Sequence, residues 1–197
     1  IVPVVRNQAH MLIEEMMLAA NVASAKYVLK AKMPALFRNH EGPKNEKLNK
    51  LRATLQAMGL RFTASAQPKP ADFLALIKQI GDRPDKHIIE TMLLRSLSQA
   101  VYSPENIGHF GLAYEAYTHF TSPIRRYPDL LIHRAIRAIV AGESETTLRQ
   151  RVGRAVKGAL GGKVEPLPGE VQMVSLGEHC SMTERRADEA TRDVMAW

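Results

Sequence analysis

Apolar residues Leu12, Ile13, Met16, Met17, Ala20, Ala23 and Tyr27 recur at helical spacing over residues 7–32. That pattern predicts one long helix, ended by Pro34, and Glu41-Gly42-Pro43 then reads as a turn. A second helix is predicted over 45–58, closing at Gly59, and a third over 72–80, stopped by Gly81. A fourth opens at Pro84 and carries Ile88, Met92, Leu93 and Leu97. The period changes after that. Residues 99–102 and 108–120 look like strand, with Phe110, Leu112, Tyr114 and Ala116 alternating with smaller or polar residues. A helix is predicted over 123–140, with Pro128 removing one internal bond and producing a kink or a short first turn. The stretch at about 141–168 is rich in glycine and proline, from Gly142 to Pro168, and reads as loose and linker-like, with a short helix near 147–156. A last helix runs from about 170 to 197, and there is no internal repeat. The resulting class is α+β, predominantly α, with several helices packed around a few antiparallel strands.

Composition narrows the setting. A chain of 197 residues with 45% apolar content can bury one sizeable core, so one domain is expected. A net charge of +7 and a pI near 9.7 call for an acidic partner, for which nucleic acid fits best. Cys180 stands alone, which excludes an internal disulfide and any zinc-type cysteine spacing. With no signal-like segment or long apolar run, a cytoplasmic protein without a membrane partner is expected. The start at Ile1 without methionine, and the stop at Trp197 inside a helical pattern, predict a piece of a longer polypeptide.

The charged residues are unusually placed. In Thr121-Ser122-Pro123-Ile124-Arg125-Arg126-Tyr127-Pro128-Asp129, Ser122 suits an N-cap and Pro123 the first helical position. Two arginines would then occupy a first turn whose dipole already favours acids. One reading is an anion site, phosphate first, held by free N–H groups and guanidinium forks. The other is that these arginines pair with acids of the fold. Glu14 and Glu15 are the only charges between His10 and Lys26. At ~100° per residue Glu14 shares a stripe with Asn7, His10 and Asn21, whereas Glu15 has apolar neighbours and needs a partner if buried. His109, His119 and His133 lack metal-ligand spacing and read as hydrogen-bonded residues or RNA contacts. Among the aromatics, Tyr117 and Tyr127 are candidates for base stacking, although rings at such spacing are more often core. The last helix is densely charged from Glu184 to Arg192, which reads mostly as a solvated or domain-facing side.

Three ordered stretches carry a resemblance: Arg6-Asn7-Gln8-Ala9-His10 followed by Leu12-Ile13-Glu14-Glu15-Met16-Met17 and Ala19-Ala20-Asn21; residues 109–134, read HFGLAYEAYTHFTSPIRRYPDLLIHR; and Gly177-Glu178-His179-Cys180-Ser181 running into Glu184-Arg185-Arg186-Ala187-Asp188-Glu189-Ala190. Together they resemble the catalytic RNB domain of the 3′-to-5′ exoribonucleases, the ribonuclease II and ribonuclease R family, and lie nearer its bacterial ribonuclease R branch. The resemblance implies that the chain is the C-terminal portion of a single RNB domain, and hence a partial fold. The parent would be a processive enzyme cutting single-stranded RNA to nucleoside 5′-monophosphates. Arg125 matches the family's catalytic arginine, and Arg126 would be a backbone contact or structural. A glutamate on the first helix would hold the sugar of the 3′-terminal nucleotide; both Glu14 and Glu15 match, and the stripe argument favours Glu15. Glu184 matches a glutamate near the RNA channel. The family's Mg²⁺ sits in an Asp-rich cluster, and none of the six aspartates here (Asp72, Asp82, Asp85, Asp129, Asp188, Asp193) forms one. The metal ligands are therefore expected upstream and this chain alone is expected to bind no metal and to be inactive. The alternative is a non-catalytic basic helical module that binds RNA or packs on a partner. A truncated domain exposing apolar surface would also be expected to self-associate.

Overall fold

A computed structural model describes residues 5–63, 68–141 and 168–196. The predicted linker-like stretch and the short helix near 147–156 lie, apart from the stretch's two ends, outside the described residues. The elements in order are α1 (Gln8–Lys30), β1 (Phe37–Asn39), α2 (Asn45–Ala57), α3 (Pro70–Ile80), α4 (Lys86–Ser96), β2 (Val101–Ser103), a 3₁₀ turn (Phe110–Leu112), α5 (Tyr127–Val140) and α6 (Glu170–Ala196). Among the described residues β1 and β2 form a two-stranded sheet. The helix-dominated α+β class follows.

The chain divides into two compact units. The first draws on Ile1–Arg38, Val101–Asn106 and Ala116–Trp197. Its core joins Ala25 and Val28 of α1, Phe37 of β1, and Ile132 and Ala135 of α5. A second cluster, Leu36, Leu131 and Met173, seats α6 on α5. Full burial of residues such as Leu131 and Ile132 stabilises by about 1.5–3 kcal/mol each. Several buried polar groups inside this unit tie its elements together. Asn21, buried on α1, donates to Tyr117 Oη at 2.9 Å and accepts from the Phe120 N–H at 2.9 Å. Thr118 donates to Leu36 O at 2.7 Å, and the Arg38 N–H donates to Tyr117 O at 2.9 Å. The segment 117–120 is thereby stitched to both α1 and β1.

The second unit, Asn39–Ala100 with Ile107–Glu115, packs Leu51 and Leu55 of α2, Phe73, Leu76 and Ile80 of α3, and Ile89 and Leu93 of α4. Gly59 and Gly81, at φ 75° and 51°, end α2 and α3 as expected of glycine at helix stops. Arg83 bridges Asp85 and Met58 O, and its guanidinium holds the Asp85 carboxyl below the usual range.

Three sequence expectations are corrected. The apolar stripe of α1 is not its buried face: Leu12, Ile13, Met16 and Met17 are exposed, and Asn21, Ser24, Ala25 and Val28 are buried instead. Only the C-terminal half of α1 meets the core, and there close packing selects small residues. Residues 108–120 are not one strand. His109 and Tyr114 pair across a tight turn (His109 N to Tyr114 O, 2.8 Å), with Gly108 at φ 83° and Ala113 at φ 57° reversing the chain. The strand-like alternation is real, but φ > 0 positions interrupt it. Finally, α5 begins at Tyr127, not at Pro123, and Pro128 falls in its first turn, where no intrahelical donor is required, so no kink arises.

Gly177 shows how closely α6 approaches β2. A Cβ there would lie 2.7 Å from Tyr102 O and 3.3 Å from Leu36 Cδ2. Ser181, one turn on, accepts from the Tyr102 N–H at 2.9 Å and donates to Gly177 O at 2.7 Å. Gly177→Ala would gain about 1 kcal/mol of helix propensity. Overpacking against a backbone oxygen that cannot swing aside costs about 1–3 kcal/mol. The variant is expected to lower Tm in a thermal melt; a raised Tm would show that α6 slides freely on β2.

Candidate nucleic-acid interface

Residues 121–129 are built around one carboxylate. The Arg125 and Arg126 N–H groups donate to Ser122 O at 3.2 and 3.1 Å, which folds Ser122–Arg126 into a turn. Asp129 follows at the third position of α5, where an acid suits the helix dipole. It is fully buried, and its Oδ1 accepts from the Ser122 N–H at 2.7 Å and from Arg126 Nη2 at 2.8 Å. The apparent conflict of two arginines in a helix's first turn disappears: the helix starts after them, and the anion it attracts is its own Asp129. Ser122 contributes its backbone, not a side-chain cap. Three buried atoms in this short segment, Thr121 Oγ1, Arg126 Nε and Asp129 Oδ2, have no hydrogen-bond partner among the described residues.

The two arginines therefore differ. Arg126 is partly buried and committed to Asp129. Arg125 is exposed, and its guanidinium has no partner among the described residues. Ile124 beside it is 97% exposed, so the tip of the turn projects from the fold. Tyr127, next along, keeps an exposed ring, whereas Tyr117 is buried with its hydroxyl on Asn21 and its ring against His119. Only Tyr127 of the two presents a face that could stack on a base.

Glu14 and Glu15 lie on the exposed half of α1. Glu14 forms an ion pair with Arg6, and the helix start is closed by a reciprocal box between Asn7 and His10. Neither glutamate is joined to Arg125 by a hydrogen bond or ion pair among the described residues. Glu184 sits on α6, where Arg38 grips it with both terminal nitrogens, at 2.6 and 3.0 Å. The Arg38 guanidinium also lies 4.6 Å over the Tyr102 ring. Tyr102 Oη is 2.7 Å from His119 Nδ1. Burial pushes the Tyr102 phenol up to about 12, with Glu184 and Asp129 adding to the shift and Arg38 and Arg126 opposing it. No motif marked Arg38 or Tyr102 in the sequence, because both act through residues far along the chain. His133, the third histidine of the segment, donates from Nε2 to Phe120 O at 2.9 Å and stacks on that ring. A cleft of about 340 Å³ between β2 and α6 is lined by Glu178, Ser181 and Arg185 of the third ordered stretch but by none of the candidate RNA-contacting residues.

The RNB domain matches residues 1–142. The chain belongs to the RNB-domain family. It is 50% identical over 192 residues to Escherichia coli ribonuclease R, a match covering 98% of this chain and 22% of that protein. The chain thus spans about a fifth of that relative's length. Its fold superposes on the apo form of Mycoplasma genitalium RNase R with a TM-score of 0.80 at 25% identity, covering 96% of this chain and 28% of that one. The same protein in complex with ribose methylated single-stranded RNA gives 0.79, with the same identity and coverage. Among the described residues no three His, Cys, Asp or Glu side chains gather as a metal site. Nor is any described helix long and apolar enough to cross a membrane.

Burial pushes the Cys180 thiol up, and the Glu184 carboxylate adds to it. Reaction requires the thiolate, so alkylation at pH 8.5 is expected to be slower in the folded than in the unfolded chain. Glu184→Gln should speed it, since the opposing negative charge is gone. An unchanged rate would mean that burial alone controls the thiol.

Proposed function

We propose that this chain is the C-terminal part of the catalytic RNB domain of a processive 3′-to-5′ exoribonuclease that hydrolyses single-stranded RNA to nucleoside 5′-monophosphates. The observation that carries the reading is Arg125: an exposed guanidinium on a turn held rigid from below, in a chain half identical to ribonuclease R. Phosphodiester hydrolysis concentrates charge on the non-bridging oxygens, and a preorganised guanidinium stabilises that charge more in the transition state than in the ground state. A fork that binds two oxygens at once also fixes the phosphate's register.

The other residues fall around it. Glu15, with Glu14, would meet the ribose of the 3′-terminal nucleotide from α1. Tyr127 would offer a ring beside the phosphate. Arg126 would shape the turn and add positive potential. Glu184 would act on RNA through Arg38, whose position it sets. Mg²⁺, when bound, would supply the activated hydroxide and Lewis acid. Its ligands are proposed to lie upstream of residue 1 in the intact protein, since the described residues do not form such a site. The isolated chain would accordingly be inactive, and the intact protein is expected to act in the cytoplasm.

Mg²⁺-dependent release of mononucleotides from a 3′-tailed single-stranded RNA, assayed on this chain and the full-length protein together, tests the proposal. Activity is expected in the full-length protein alone. Activity in the chain itself would place the metal ligands among the residues discussed here, and none in either would favour a non-catalytic RNA-binding module. In the full-length protein Arg125→Ala should lower kcat by about 10²–10³-fold with RNA binding little changed. Equal losses in both would reduce Arg125 to a phosphate grip.

The exposed Met11, Leu12, Ile13, Met16 and Met17 of α1 form an apolar surface of the kind that drives association. The isolated chain is expected to self-associate, with a light-scattering mass that rises with concentration. A constant monomer mass would count against it.

A further inference from the structure

We infer that Asp129 is a positioning residue for Arg125, acting through the turn and touching neither RNA nor metal. The inference rests on the reading of Arg125 given above. Both ends of the arginine-bearing turn are tied to one carboxylate oxygen: Ser122 by its N–H at 2.7 Å, and Arg126 by Nη2 at 2.8 Å. Between these two anchors stands Arg125, its own N–H held on Ser122 O at 3.2 Å and its exposed side chain without a partner among the described residues. The bonds to Asp129 are charge-assisted and shielded from water, since Asp129 is fully buried and the Arg126 side chain is 19% exposed. They resist bending more than surface contacts would.

A purely stabilising ion pair would be expected to satisfy its own polar atoms. This one does not: Asp129 Oδ2, Arg126 Nε and Thr121 Oγ1 are all buried without a partner among the described residues. Uncompensated burial is costly. A single carboxylate oxygen taking two donors, while its twin takes none, is the arrangement that best fixes the geometry of the turn rather than the arrangement that best satisfies the group. The same bonds explain why Arg126 and not Arg125 is consumed by the fold. Catalysis demands such rigidity, because a displacement of about 1 Å at a reacting group can cost on the order of 10²-fold in rate.

The test is a double-mutant cycle in the full-length enzyme, with kcat and KM on single-stranded RNA in Mg²⁺ and a melting curve for every variant. Asp129→Asn leaves one oxygen to accept from Ser122 and Arg126 but removes the negative charge that holds the Arg126 guanidinium. It should lower kcat by about 10²-fold with KM little changed, and cost almost nothing further on an Arg125→Ala background. Full additivity, or an unaltered kcat, overturns the inference. If Asp129→Asn does not fold, Arg126→Lys carries the cycle: it keeps the charge, disturbs the single Nη2 bond to Asp129, and must show the same non-additivity with Arg125→Ala. Full turnover in Arg125→Ala alone would remove the functional reading itself, and the inference with it. Loss there, joined to additivity with Asp129→Asn, would remove the inference only.

Discussion

The Asp129 carboxylate, buried at the start of α5, is the constraint on which the candidate site depends. A charge fully withdrawn from water must be compensated, and here the compensation comes from two donors that bracket the arginine turn. The helix start, the shape of the turn and the exposure of Arg125 are consequences of that one requirement. Had the helix begun at Pro123, both arginines would have faced a like-signed dipole and Asp129 would have lain a turn deeper.

Around this centre the first unit is a frame of short-range polar ties between elements distant in sequence. Asn21 fastens the 117–120 segment to α1, Thr118 fastens it to the chain entering β1, and Ser181 fastens β2 to α6. Arg38 closes the arrangement by answering Glu184 with both terminal nitrogens while covering Tyr102. Each of these buried polar groups has a defined partner, so the frame admits one register. The close approach at Gly177 belongs to the same design, since only a residue without Cβ lets α6 reach the Tyr102 carbonyl.

Much of this architecture was legible in advance. The helices predicted over 45–58 and 72–80, with their stops at Gly59 and Gly81, match α2 and α3 to within two residues, because φ > 0 glycines at helix ends are a local property. Arg125 and Arg126 stood out because they broke a local electrostatic rule. What misled was also local. The methionine-rich stripe of α1 has helical spacing whether or not anything packs on it, and the alternation of residues 108–120 persists through a turn that pairs His109 with Tyr114. Period reports conformation or amphipathicity, not the identity of the covering partner.

By itself the sequence determined the helical segments, the basic character and, through its three ordered stretches, the family. Only the tertiary structure shows that Asp129 takes Arg126 and that Arg125 has no partner among the described residues. Arg125 and Arg126 are adjacent and chemically identical, and nothing in their spacing separates them. The distinction arises because α5 starts at Tyr127 and carries Asp129 into the interior, where its buried carboxylate binds one guanidinium and leaves the other in solvent. Long-range burial set that choice, and burial is a property of the packed chain rather than of any segment within it.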